Sequence, residues 1–284
     1  MLPGAAVAAR GFLCAALLTI SSSAQAAPQR VVSLNLCADE LALRLADPGT
    51  VRSVTFLSQD PRYGNLASLA AAVRANRGLA EEALAYRPDL VLAGGFSDPA
   101  TVFALKRFGA RVVEIGGADS LEGARKQIRD VAAALDQTER GEALIAEIDR
   151  RVDEVTADPR LPRLRAVVLR PNGYSVGPGS LADEILSRAG LINVASQLGA
   201  DRQVPLEVLA RLDADVLILD REDNGGPSLA GAILDHPVVQ ALSRRMTIVS
   251  LPSRLWTCGG PEIAEAVRRL VAATAGARAR EATQ

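Results

Sequence analysis

Cys37 and Cys258 each follow the end of an expected strand, and they lie far apart in the chain. Three arrangements fit the pair. They are buried separately, or they form a disulfide, which needs Cα atoms within about 7 Å, or they face a ligand as thiols. Cys258 precedes Gly259-Gly260-Pro261, a helix start at which a thiolate is favoured. A cysteine nucleophile would need a histidine base. The chain has one histidine, His236, and its setting, Asp235-His236-Pro237, reads as a surface turn. A single histidine is also too few for a histidine-based metal site. The GPGS run at 177–180 is not a G-x-S-x-G elbow, no G-x-G-x-x-G follows the first strand, and no phosphate-binding loop is present. The expectation is a binding protein rather than an enzyme, with no cofactor and no metal held directly by side chains. A secreted α/β hydrolase is the alternative.

The elements that must position such side chains alternate between strand and helix patterns. RVVSLNL (30–36), VRSVTFLS (51–58), DLVLAGG (89–95) and RVVEIGG (111–117) read as strands. Helical stretches at 38–46, 79–87 and 99–108 separate them. The rhythm stops between Ser120 and Thr156, where only helical spacing is found, with a weak break at Asp136-Gln137-Thr138. It resumes with strands at 165–170, 215–220 and 246–252 and helices at 180–190, 206–212 and 261–274. Ser180 reads as an N-cap and Gly190 as a stop. The predicted fold is α/β: two β/α lobes with mainly parallel sheets, joined by one long connecting helix. The expected lobes are 27–118 and 159–284, with the connector at 119–158. Glu81, Asp89 and Leu90 recur as Glu207, Asp215 and Val216 at a constant spacing, as two related lobes would show.

The N-terminal stretch 1–26 reads as a secretory signal. Arg10 precedes a short apolar run, and Ala24-Gln25-Ala26 supplies an A-x-A cleavage site. Thirty-two basic residues against 33 acidic ones leave a net charge of −1, which argues against nucleic acid as a partner. Outside the N-terminus no apolar run is long enough to span a bilayer.

In open α/β sheets, ligands sit beyond the carboxyl ends of the strands. That rule selects Asn35, Cys37, Arg77 and Phe96 in the first lobe, and Tyr174, Arg202, Arg254 and Trp256 in the second. Aromatic rings offer apolar area, and arginine forks grip carboxylates. For Trp256 and Tyr174 a place in the core is the competing assignment.

RVVSLNLCADEL, GLAEEALAYRPDLVLAGG (78–95), the long helical connector and LPSRLWTCGGPEIAEAVRRL together resemble the class III periplasmic substrate-binding proteins of ABC importers. The resemblance covers the whole chain after the signal. It implies a monomer in the periplasm that holds a vitamin B12, ferric siderophore or haem ligand between two lobes and delivers it to a permease at the inner membrane. It also implies that one glutamate per lobe, Glu81 and Glu207, docks on arginines of that permease; both also fit as solvated acids in a first helical turn. Positions near Asn76 and Arg202, where B12 binders offer tryptophan, are polar or basic here. A ferric siderophore or another anionic metal complex therefore stands beside cobalamin as the expected ligand.

Overall fold

The computed structural model describes residues 27–198, 203–222, 226 and 228–281. The expected signal segment and Arg202 lie outside them. Two sheets organise the chain. The first contains β1 (Val31–Ser33), β2 (Val51–Thr55), β3 (Arg74–Asn76), β4 (Leu90–Gly94) and β5 (Val112–Ile115), in the order β3-β2-β1-β4-β5. The second contains β6 (Leu164–Leu169), β7 (Leu191–Asn193), β8 (Val216–Asp220) and β9 (Thr247–Leu251), in the order β7-β6-β8-β9. Every pairing in both sheets is parallel. The central strands β1, β4, β6 and β8 are near-continuous apolar runs, as strands covered on both faces must be.

The helices of the first lobe are α1 (Leu36–Leu45), α2 (Phe56–Gln59), α3 (Ala67–Ala70), α4 (Ala80–Leu84) and α5 (Pro99–Arg107). Next come α6 (Leu121–Ala134) and α7 (Thr138–Val155), then α8 (Leu181–Arg188), α9 (Leu206–Arg211), α10 (Pro237–Ala241) and α11 (Glu262–Glu281). The sequence echo is structural. Helices α4 and α9 start at 80 and 206, and strands β4 and β8 start at 90 and 216. In each lobe the aspartate just before the strand does the same job. Asp89 accepts the Arg30 N–H at 2.8 Å, and Asp215 accepts the Arg165 N–H at 2.7 Å. Each carboxylate thus joins the start of one central strand to the start of its neighbour.

The expected strands 30–36 and 51–58 end early. Asn35 is extended and caps α1, accepting from the N–H groups of Cys37 and Ala38, so β1 stops at Ser33. After Thr55 the chain turns into α2. The short edge strands β3 and β7 were not expected, because three residues carry no readable alternation. Ser180 does cap α8, accepting from the Asp183 N–H, and Gly190 follows that helix at φ +69°.

The connector departs from a single long helix. It contains α6 and α7, separated by a turn in which Asp136 has φ +60°. Arg125 pairs with Asp149 at 2.8 Å, and Arg129 with Glu142 at 2.8 Å. Partner numbers that fall as the first number rises mean the two helices run antiparallel. Helix α6 packs on α1 and β5, and α7 packs on α11. One continuous apolar core runs through Leu41 and Leu90 of the first lobe, Ile128 and Ile148 of the hairpin, and Ala166, Ile218 and Leu270 of the second. The lobes therefore share their back, and only their front edges are separate.

Candidate functional site

Strands β4 and β6 end at opposite sides of a gap between the two sheets. Two cavities of about 610 and 470 Å³ occupy it, sharing Phe96, Ala118, Asp119 and Thr257 in their walls. The smaller lies against the first lobe, with Asn35, Cys37 and Leu57 in its wall. The larger reaches the second lobe at Arg170, Tyr174, Asp220 and Trp256. A space of this size, with mixed apolar and polar walls, suits a bulky small molecule.

Phe96 is presented on a tight turn after β4. Ser97 Oγ accepts the Gly94 N–H at 3.0 Å and donates to the Leu34 carbonyl at 3.0 Å. The turn leaves the Phe96 ring 100% exposed between the cavities. Apolar surface so fully presented to water gains most from being covered.

Trp256 resolves the choice between cleft and core by occupying both. It is 2% exposed and part of the shared core, yet it backs the larger cavity. Above it lies Arg170, whose guanidinium carbon is 5.7 Å from the ring centroid. Arg170 Nε is 3.2 Å from Asp220 Oδ2, in an ion pair without hydrogen-bond alignment. Asp220 is the last residue of β8, and its other oxygen accepts the Ser253 hydroxyl at 2.6 Å. Burial pushes the Asp220 carboxyl up, against the opposing pull of Ser253, the Arg170 charge and the Trp256 indole. Among the described residues the buried indole nitrogen has no acceptor in hydrogen-bond geometry.

Cys37 and Cys258 form a disulfide with Cα atoms 5.2 Å apart. It crosses the floor of the gap and joins α1 to the loop before α11. This sets aside separate burial and thiol contact with a ligand. Gly259, the next residue, is required by close approach: a Cβ there would lie 2.4 Å from Ala124 Cβ and 2.9 Å from Ala124 Cα. Glycine lets this loop rest directly on α6.

Beside the disulfide is a second bridge between the lobes. The Asn65 backbone N–H donates to Glu40 Oε1 at 2.7 Å, and Asn65 Nδ2 donates to the Arg254 carbonyl at 2.8 Å. Arg44 donates to Glu262 at 2.6 Å. Burial drives the Glu40 carboxyl up to about 7; the Asn65 N–H groups and Arg44 oppose the rise, and the Glu262 charge adds to it.

The structure brings Asn35, Cys37, Phe96, Tyr174 and Trp256 to the cavity walls. Arg77 and Arg254 are not in those walls. The Arg77 N–H is held by Glu82, and Arg254 Nη1 donates to Asn65 in the bridge just described. Arg170 and Asp119 were missed as site residues, the expected strand 165–170 ending on Arg170, whereas the strand-end rule does reach Asp220. Glu81 and Glu207 are exposed in the first turns of α4 and α9. In a parallel β-α-β unit a helix begins where its strand ends, so both acids lie on the cleft edge of their sheets. His236 is exposed and caps α10 through Nδ1, outside both cavities. Among the described residues no group of three metal-ligating side chains occurs, and no helix is long and apolar enough to cross a membrane.

A family model for periplasmic binding proteins matches residues 31–243. Among curated proteins none matches this chain. Several solved structures share its fold. The periplasmic haem-binding protein RhuT of Roseiflexus sp. RS-1 is 23% identical, covers 88% of this chain and 99% of its own, and has a TM-score of 0.73. The periplasmic vitamin B12 binding protein BtuF of Vibrio cholerae is 17% identical, covers 88% and 98%, and has a TM-score of 0.67. A protein of an Fe3+-hydroxamate transport system from Saccharomonospora viridis DSM 43017 is 24% identical, covers 87% and 93%, and has a TM-score of 0.65. At these identities the likeness establishes the fold.

Proposed function

Since the chain belongs to the periplasmic binding protein family, we propose that it is the substrate-binding component of an ABC importer, exported to the periplasm by its N-terminal signal. Its cargo is a metal-chelate nutrient, a ferric siderophore or a cobalamin, held in the gap between the lobes. The observation that carries this reading is the wall of that gap. Phe96 from the first lobe and the Arg170–Asp220–Trp256 group from the second border one space with separate apolar and polar regions. Phe96 covers an apolar face of the ligand, while Arg170 and Tyr174 meet its polar edge. Capture then needs no covalent step and no protein-held metal.

Glu81 and Glu207 dock the loaded protein on the permease, one from each lobe. Their support is position: both are exposed, both open a helix, and both stand on the cleft edge. Docking there sets the gap over the transport path. Native mass spectrometry of the protein purified from its own periplasm tests the reading. A co-purified metal complex of matching mass is expected. A cargo that is a free amino acid, a sugar or a peptide would contradict it.

A further inference from the structure

We propose that Arg170 is the polar recognition group of the cleft, and that its ligand is a chelate rich in oxygen acceptors with little or no net negative charge. This rests on the binding-protein reading above and narrows it. It also departs from the anionic complex that the sequence alone suggested.

Two observations make Arg170 a reader rather than a strut. Its side chain is 33% exposed in the wall of the larger cavity, with Nε turned to Asp220 and the guanidinium laid over the Trp256 ring. Those contacts hold the stem and one edge of the fork. Neither terminal nitrogen donates to a protein acceptor among the described residues, so the other edge is pre-organised and available to a ligand. A planar fork held this way loses little entropy on binding.

The charge of the wall decides the ligand class. Among the described residues lining the two cavities, Arg170 is the one cation, and Asp119 and Asp220 are the two anions. Asp220 is 4% exposed and compensates Arg170 directly. Asp119 stands beside the N-terminus of α6, whose first N–H groups favour its charge. Of the three arginines expected to balance an anion, Arg202 lies outside the described residues, Arg77 lines neither cavity, and Arg254 Nη1 donates to Asn65. A polyanion would thus enter a partly desolvated space whose described walls carry two carboxylates against one guanidinium, which costs heavily. Hydroxamate and amide oxygens accept hydrogen bonds from Arg170 without that cost.

The test compares wild type with Asp220→Asn and Arg170→Lys by isothermal titration. The probes are a neutral ferric trihydroxamate, cobalamin and a trianionic ferric tris-catecholate. Wild type is expected to bind the trihydroxamate or cobalamin at least about tenfold tighter than the catecholate. Asp220→Asn uncovers the Arg170 charge and should shift that ratio toward the catecholate by about tenfold or more. Arg170→Lys keeps a charge beside Asp220 but loses the fork, and should weaken the favoured probe by about tenfold. Tighter catecholate binding by wild type would overturn the proposal and leave the transport reading intact. An unchanged ratio in Asp220→Asn, with that variant folded by circular dichroism, would also overturn it. Failure of every chelate to bind wild type would instead sink the transport reading itself.

Discussion

The disulfide between Cys37 and Cys258 is the covalent tie between the lobes at the floor of the cleft, and its removal makes a quantitative prediction. The two residues are 221 apart in sequence. Cross-linking so long a loop removes much of the freedom of the unfolded chain. The chain-entropy relation gives about 5 kcal/mol for a loop of this length at 25 °C, and native disulfides typically deliver about 2–5 kcal/mol. Cys37→Ala with Cys258→Ala is therefore expected to lower unfolding stability by about 3–5 kcal/mol. Urea titration of the mature protein, followed by circular dichroism, measures this. The midpoint should fall. The slope should rise, because an unlinked chain exposes more surface when it unfolds. A thiol titration of denatured, unreduced wild type should find no free thiol in the mature chain. Two free thiols, or a stability loss below about 1 kcal/mol, would refute the tie.

Glu40 should make the protein sensitive to pH. Its folded carboxyl holds a proton up to about pH 7, while its ordinary value is 4.5, so the native state binds more protons between these limits. That contribution is full below about 4.5 and is lost as pH rises through 7; a shift of this size corresponds to about 3 kcal/mol. In Glu40→Gln the fall in urea-measured stability between pH 4.5 and 8 should be smaller by about that amount, and an identical slope in the variant would rule Glu40 out. Phe96→Ala removes a fully exposed ring, so thermal stability should change by less than about 0.5 kcal/mol while chelate affinity falls about tenfold or more. Equal affinity by titration would take Phe96 out of the site. Charge reversal of Glu81 and Glu207 together should abolish cellular uptake while leaving affinity intact; loss of affinity would mean that these acids serve the cleft and not the permease.

Much of this architecture was legible in the sequence because it is local. The Pro88-Asp89 and Ala214-Asp215 turns before apolar runs marked the two central strands, and Ser180 and Gly190 marked both ends of α8. The strand-end rule found Asn35, Phe96, Tyr174 and Trp256, since backbone topology alone brings such loops to one edge. It did not bring Arg77 or Arg254 to the cavity walls. A loop position does not fix where a long, flexible side chain goes, and Arg254 turns its Nη1 to Asn65. Arg170 was hidden for the opposite reason. A charged residue closing a strand looks like a surface residue until Asp220, from another strand 50 positions later, is seen beside it. The disulfide was one of three open arrangements, because pairing over 221 residues has no local signal. The hairpin of α6 and α7 turned on Asp136, whose positive φ ended what reads as a nearly continuous helical pattern.

The most direct test is to locate the cargo. Crystals of the loaded protein, measured at the absorption edge of the bound metal, give the position of that atom without reference to any ligand model. One anomalous peak is expected in the gap, between the Phe96 turn and the Arg170–Trp256 wall. A metal on the outer surface of either lobe, with the gap holding only solvent, would contradict it.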